Sequence, residues 1–396
     1  MRSTCLAAAF CLALGASATA QVVDAGLSPD DGLRVDFPLH DVSLRLGGRL
    51  HLDGAVFEDD ESETDNDFEV RRARPYLEVR VGDDWRAKAE YEVTAGDHGW
   101  RNVWLGFDGL PRTHLRLGNQ TLPFGLEESA SSNDVVFAER SVASGLTSDF
   151  GTAFSARVSG RLFARARGLL AAGVYMEPFG NMSYDRHRSE HVGGVGRAVL
   201  APYVRKRRVI QLGGSIDYRD LYGDDRWRIS QRPESALAPR LTHVTLSDVD
   251  TVLGFGVEAA AEFGPLLLQG EYLRSEIQRQ SDSSLDDPSF YGGYAQASYV
   301  LTGERHRYAR STATFGSVKP RHRWGAVELA ARASALDLND SGVDGGRVYD
   351  YTAGLNWYLR ENLRLTFDYI YVDGEQSGTR DSDDPQIFQF RFMFFL

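Results

Sequence analysis

Apolar and polar side chains alternate through most of the chain, most clearly over residues 68–93, FEVRRARPYLEVRVGDDWRAKAEYEV. In the first run Arg72, Arg74, Tyr76, Glu78 and Arg80 hold the even positions, and Ala73, Pro75, Leu77, Val79 and Val81 the odd ones. After Gly82-Asp83-Asp84, Arg86, Lys88, Glu90 and Glu92 are set between Trp85, Ala87, Ala89, Tyr91 and Val93. A period of two predicts strands with one charged and one apolar face. Each run reaches the about 9–11 residues that a tilted strand needs to cross a bilayer. Charge toward water and apolar side chains toward lipid make the wall of a transmembrane β-barrel.

The same pattern predicts sixteen strands. The first covers 42–57, and the hairpin above supplies the second and third. The rest lie near 100–107, 114–120, 149–159, 162–175, 195–203, 209–219, 251–263, 266–276, 290–304, 324–336, 348–359, 363–372 and 385–396. Connections after even strands are mostly short and those after odd strands mostly long, as in outer-membrane barrels with short periplasmic turns and long outer loops. The connection 305–321 departs from this, being long where a turn is due. It requires either further strands or a periplasmic segment that folds back. The segment 122–148 lacks alternation and falls at the third outer loop. The fold class is therefore all-β, a transmembrane antiparallel barrel of about 16 strands, wide enough for an aqueous channel.

The final strand carries Phe388, Phe390, Phe392, Phe394 and Leu396 on one face, opposite Gln389 and Arg391. An aromatic face of this kind suits the interfacial girdle of a barrel.

Residues 1–20 have a basic start, a short apolar core and Ala18-Thr19-Ala20, and are expected to be a signal peptide cleaved after Ala20. Residues 21–396 then form a single barrel domain. Both cysteines, Cys5 and Cys11, fall in the leader, which suits export through an oxidising compartment. No other apolar run approaches the roughly 20 residues of a membrane helix, so a membrane reading requires strands. The formal charge of −12 disfavours nucleic acid as a partner. It leaves an anion channel open, because the field that matters is local to the pore. Only Lys88, Lys206 and Lys319 are lysines among 44 basic residues.

Several tracts resemble the phosphate-selective porin O and P family: GGRLHLD (47–53), FEVRRAR (68–74), LRLGNQTLPFGLEESASSNDVVFAER (115–140), YAQASYVLTGERHRY (294–308), LAARASALDLND (329–340) and YTAGLNWYLRENLRLTFDYIYV (351–372). The resemblance spans most of the chain in the same order. It implies a sixteen-stranded outer-membrane porin, usually trimeric, with inward-folded loops and arginine-lined anion passage. The family's paired arginines match Arg71 and Arg72, with Arg74 beyond, and its Glu-Arg after the loop matches Glu139-Arg140. Where the family usually carries lysine before Pro-Phe-Gly, this chain has Thr121.

The pore candidates are Arg71, Arg72, Arg74, Arg80, Lys88, Arg116 and Arg140, since the planar guanidinium fork suits oxyanions. The competing reading pairs Arg72, Arg74, Arg86 and Lys88 with Glu78, Glu90 and Glu92 as an ordinary polar wall. Farther round, Arg332 and Arg364 oppose Glu258, Glu328, Asp350 and Asp368. The third outer loop, folding inward as in the family, is expected to bring Glu127, Glu128, Asp134 and Glu139 to the constriction. The acidic run 58–67 lacks the glycine and distal glutamate of a calcium loop, and His187-x-x-x-His191 lacks the order of a zinc motif, so no metal site is expected. No G-x-S-x-G occurs and the nine histidines are scattered, so no enzyme and no cofactor are expected. The expected partners are outer-membrane lipid and lipopolysaccharide, small anions and further copies of the chain as a homotrimer. A non-conducting adhesin or surface scaffold is the alternative to transport.

Overall fold

The computed structural model describes residues 24–28, 32–58, 64–94, 98–147, 150–161, 167–179, 191–205, 207–221, 226–379 and 382–396. The expected signal peptide (1–20), the centre of the acidic run (59–63), His187 and Lys206 lie outside the described residues.

A hairpin of β1 (Asp24–Ser28) and β2 (Gly32–Phe37) precedes the barrel. The first nine wall strands are β3 (Val42–Glu58), β4 (Asp67–Val81), β5 (Trp85–Glu92), β6 (Gly99–Leu110), β7 (Thr113–Thr121), β8 (Phe150–Arg161), β9 (Arg167–Met176), β10 (His191–Arg205) and β11 (Arg208–Leu221). A loop hairpin, β12 (Trp227–Gln231) and β13 (Thr242–Leu246), separates them from β14 (Val249–Phe263), β15 (Leu266–Arg279) and β16 (Ser289–Val300). Two short strands, β17 (Arg307–Ala309) and β18 (Thr314–Gly316), follow. The wall ends with β19 (Ala326–Asp340), β20 (Val343–Arg360), β21 (Leu363–Glu375) and β22 (Gln386–Phe395).

Sixteen antiparallel strands close on themselves, with β22 pairing β3 from Gln386↔Glu58 to Phe395↔Arg49. Below that seam β2 takes over the same edge of β3, from Leu33↔Leu46 to Phe37↔Val42. The C-terminus is fixed where the two partners meet. Tyr76 donates its hydroxyl to the Leu396 carbonyl at 2.9 Å, and the Leu396 amide donates to the Gly48 carbonyl at 2.8 Å.

The alternation sorts as lipid and water demand. Leu117 is 58 % exposed on the outer face, with Leu77, Leu105, Val174, Leu212, Val257 and Phe367 also exposed. The alternate positions put Arg74, Glu92, Arg197, Glu258 and Arg332 inside and buried. Apolar surface spread around the whole wall is what a hydrocarbon solvent stabilises. Aromatic rings pack side by side at the closing strands: Phe390 lies 5.0 Å from Phe367 and Phe388 lies 5.1 Å from Tyr369.

Three segments fold into the barrel. The loop after β7 packs Leu122, Phe124, Val142, Ala143 and Leu146 against Ile229, Leu241 and Val244 of the β12–β13 loop, with Leu273, Ile277 and Leu336 of the wall. The connection 301–325 resolves the ambiguity left by its length: it folds back from the short-turn end. Phe315 of β18 joins Leu126, Val136 and Phe137 of the post-β7 loop in a second buried cluster. The two segments are tied directly, for the Ser317 amide donates to Asp134 at 2.8 Å. One side of the barrel is thus filled like a soluble core, and the open lumen is confined to the other.

Candidate functional site

The post-β7 loop, called here the inward loop, is held by a series of wall side chains aimed at its backbone. Glu271 accepts from the Leu126 and Glu127 amides at 2.5 and 2.8 Å, at the start of the one-turn helix α1 (Leu126–Ser129). Asp368 accepts from the Ala138 amide at 2.8 Å. Asn356 donates to the Val136 carbonyl at 2.8 Å, Arg364 to the Val135 carbonyl at 2.9 Å and Arg332 to the Glu139 carbonyl at 3.0 Å. Every one of these loop groups would be unpaired in a dry interior, so each bond avoids a desolvation penalty of about 1–3 kcal/mol.

Several wall acids and bases from β14 to β22 are therefore engaged, at one atom or more, before any solute arrives. Glu258 takes both ends of the Arg197 fork at 2.7 Å. Glu328 binds His306 at 2.6 Å, and Asp350 accepts from the Glu234 amide at 2.8 Å. Arg332 reaches Glu127 at 3.1 Å and Glu234 at 2.5 Å.

On the open side, strand irregularities add charge to the lumen. His51 pairs with Arg72 and Leu52 with Val70, so Arg71 is an extra residue in β4. Such a bulge lets two consecutive side chains share a face. Both arginines accordingly line the lumen, with Arg71 2.9 Å and Arg72 3.7 Å from Glu139. Strict alternation would have turned Arg71 to lipid. A second irregularity, between Ala89 and Tyr91 opposite β6, does the same for Arg101 and Asn102.

The resulting lumenal space has a volume of about 1100 Å³. Among the described residues it is lined by fourteen arginines and Lys88, against five glutamates and one aspartate. A chain with a formal charge of −12 thus encloses a strongly cationic interior.

Of the residues singled out from the sequence, Arg71, Arg72, Arg74, Lys88, Arg116 and Arg140 line this space, as do Glu128, Asp134 and Glu139. Arg80 does not. It is largely exposed at the short-turn end, 3.0 Å from Glu78. Glu127 lies behind the lumenal surface, where it accepts from the Ser141 amide and hydroxyl, both at 2.9 Å. Some of the anticipated pairing is present: Arg74 meets Glu92 at 2.5 Å and Lys88 meets Glu90 at 3.0 Å. The loop carboxylates are engaged as well, Glu128 by Arg140 at 3.2 Å and Glu139 by Arg391 at 2.5 Å. Burial raises the Glu139 carboxyl, but Arg71, Arg72 and Arg391 outweigh it and hold it well below the usual carboxylate range. Asp134 moves the other way, raised by its burial. The further lining arginines 49, 101, 157, 197, 219, 228, 232 and 240 carry no distinctive sequence signal, being single charges on strands or in a loop without periodicity.

A closed sixteen-stranded barrel with lipid-facing apolar side chains and a loop folded into a water-filled lumen defines an outer-membrane porin. Within that class the chain belongs to the phosphate-selective porin O and P family, whose model matches residues 44–396. It is 26 % identical to Porin O of Pseudomonas aeruginosa over 96 % of this chain and 95 % of that protein. An uncharacterized protein of Caulobacter vibrioides is 31 % identical over 47 % of this chain and 39 % of its own length. Among solved structures, in-vitro folded OmpT of Vibrio cholerae superposes with a TM-score of 0.56 at 12 % identity, covering 90 % of this chain and 98 % of that one. The anion-selective porin from Comamonas acidovorans gives 0.50 at 14 % identity, covering 89 % and 100 %. These two likenesses are of fold. The protein is placed in the bacterial outer membrane, and family and fold point to a channel and not to an enzyme.

Proposed function

We propose that the protein passes small hydrophilic anions, phosphate or polyphosphate among them, by passive diffusion through its arginine-lined lumen. The observation that carries this reading is the excess of guanidinium groups over carboxylates around the open space. A permeating ion loses part of its hydration shell at the narrowing, and a row of guanidinium forks replaces it with several weak sites from which the ion can leave. Local field and not total charge governs entry, so the acidic composition of the whole chain is no obstacle. The likeness to an anion-selective porin and to a family named for phosphate supports the same reading. Thr121, where a lysine is usual, favours a broader anion preference over strict phosphate selectivity. No cofactor is required. The working form is a homotrimer in lipid and lipopolysaccharide, in keeping with the trimer form determined for the Vibrio cholerae protein.

The test is the reversal potential of the purified protein in planar bilayers under a potassium chloride gradient. Anion bias is expected. A cation bias overturns the reading, and absence of conductance in folded protein replaces it with a surface scaffold or adhesin.

A further inference from the structure

Two arginines stand apart from the network that holds the inward loop. Arg116 on β7 and Arg157 on β8 line the lumen, and among the described residues no carboxylate lies within 4.0 Å of either. They are diagonal neighbours, since Arg116 pairs with Ser155 and His114 with Arg157. Same-face diagonal positions are about 7–8 Å apart, within reach of two arginine side chains converging on one ion. The Arg116 charge acts on Arg157, as does that of Arg197, while Asp108 and Glu78 act on Arg116 only from beyond ion-pair distance.

The local sequence keeps Arg116 out of a direct ion pair. The ring of Trp104 lies 4.3 Å from its guanidinium, which fixes the group by cation–π attraction without neutralising it. Two glycines let the ring and the backbone that carries it take these positions. A Cβ at Gly106, the residue opposite Arg116, would stand 3.1 Å from the Trp104 ring. Gly118, opposite Trp104, has φ +128 and a Cβ there would stand 2.3 Å from the Val103 carbonyl. The nearest acids are already engaged: Asp108 by Arg86 at 2.6 Å and His114 at 2.7 Å, and Glu78 by Arg80 at 3.0 Å. Arg157 has one long bond, 3.4 Å, to the Thr121 carbonyl and keeps its other donors.

We infer that Arg116 and Arg157, with Trp104 as platform, form a discrete binding station for a multiply charged oxyanion. Two fixed planar forks present more donors than a spherical halide can use, whereas a tetrahedral oxyanion offers an acceptor to each. The station rests on the anion-passage reading and adds to it a location and a preference. Trp104 is the positioning residue and touches the solute only through Arg116.

The experiment measures chloride current through full-length protein in planar bilayers while inorganic phosphate is titrated in. Arg116→Gln and Arg157→Gln should each raise the half-blocking phosphate concentration about tenfold, the loss of a charge-assisted hydrogen bond. Trp104→Leu leaves the charge count unchanged and should raise it several-fold, because a freed Arg116 can swing toward Asp108. Heat-modifiable migration on gels identifies folded barrels for each variant. No phosphate block in the parent protein, or half-blocking concentrations within twofold of the parent in all three variants, overturns the station. If chloride selectivity persists in that case, anion passage stands without it; a cation-biased parent overturns both.

Discussion

Arg391 on the last strand meets Glu139 of the inward loop at 2.5 Å, and the same guanidinium holds Asp53 of β3 at 2.5 Å. One buried side chain therefore joins the seam that closes the barrel to the loop that narrows it. Removing one member of such a set leaves the others charged in a dry site, at about 3–5 kcal/mol. Arg391→Met is expected to lower the temperature at which the folded gel band converts to the unfolded one, and to increase open-channel noise. The pH behaviour follows from Glu139. Because its folded pKa is depressed, its contribution is complete above the unfolded carboxylate value of about 4.3 and is lost as pH falls through the lower folded value. The Glu139–Arg391 pair should therefore persist between pH 7 and 5 and be lost only in strong acid, so that any noise Arg391→Met adds to the parent level should be the same at pH 7 and at pH 5.

The bulge in β4 makes a prediction about single positions. Arg71 and Arg72 both face the lumen, while Ala73 does not line it. With Cys5 and Cys11 as the native cysteines, Arg71→Cys and Arg72→Cys introduce clean reporters after replacement of those two. Both should be modified by a charged, membrane-impermeant thiol reagent added in water, and Ala73→Cys should not. Protection of position 71 alone would restore regular alternation and remove the bulge.

Why the wall was legible and the lumen was not follows from these same residues. Lipid on one side and water on the other impose a period of two, so runs such as 351–358 and 363–370 declare their inward and outward faces locally. The inward loop obeys no such period. Its position depends on Arg391, Asp368 and Arg332, which lie 252, 230 and 193 residues from the loop atoms they hold. Arg228, Arg232 and Arg240 reach the lumen only because the β12–β13 loop folds in, and nothing in their neighbourhood marks them. Arg71 was placed by its resemblance to paired arginines in the family, against the local alternation. The bulge is the physical reason that Arg71 and Arg72 can both face the lumen.

His306 secures the segment that folds back from the short-turn end. Its Nε2 lies 2.6 Å from Glu328 and its Nδ1 3.0 Å from the Gly316 carbonyl. Only the protonated ring can donate to both. Burial lowers the imidazole pKa, but the Glu328 charge and these bonds outweigh it and raise the value above normal. A raised folded pKa means the stabilisation is complete below the unfolded value of about 6.5 and is lost as pH rises through the folded one. Trypsin cleavage at Arg307 and Arg310, corrected for the enzyme's own pH profile, should therefore accelerate between pH 6 and 9. An increase of about tenfold corresponds to one charge-assisted hydrogen bond. His306→Gln should cleave fast at every pH; a wild-type rate flat across that range would exclude the mechanism.

Arg332 is the point where two inward loops share one anchor. It binds Glu127 and the Glu139 carbonyl of the inward loop and Glu234 of the β12–β13 loop, while its guanidinium lies 4.3 Å from the Phe137 ring. Glu234 in turn accepts from Ser334 and Thr352, both at 2.5 Å, so the second loop has tethers of its own. Arg332→Met strands two carboxylates in a buried site and should cost about 3–5 kcal/mol. The inward loop has many other tethers, so the barrel should still assemble, with larger and noisier single-channel conductance. Arg332→Lys separates charge from geometry: one ammonium cannot span three acceptors that a planar fork reaches together. Its conductance should fall between those of the parent and Arg332→Met. Equal conductance for the parent and both variants would mean that Arg332 does not set the width of the passage.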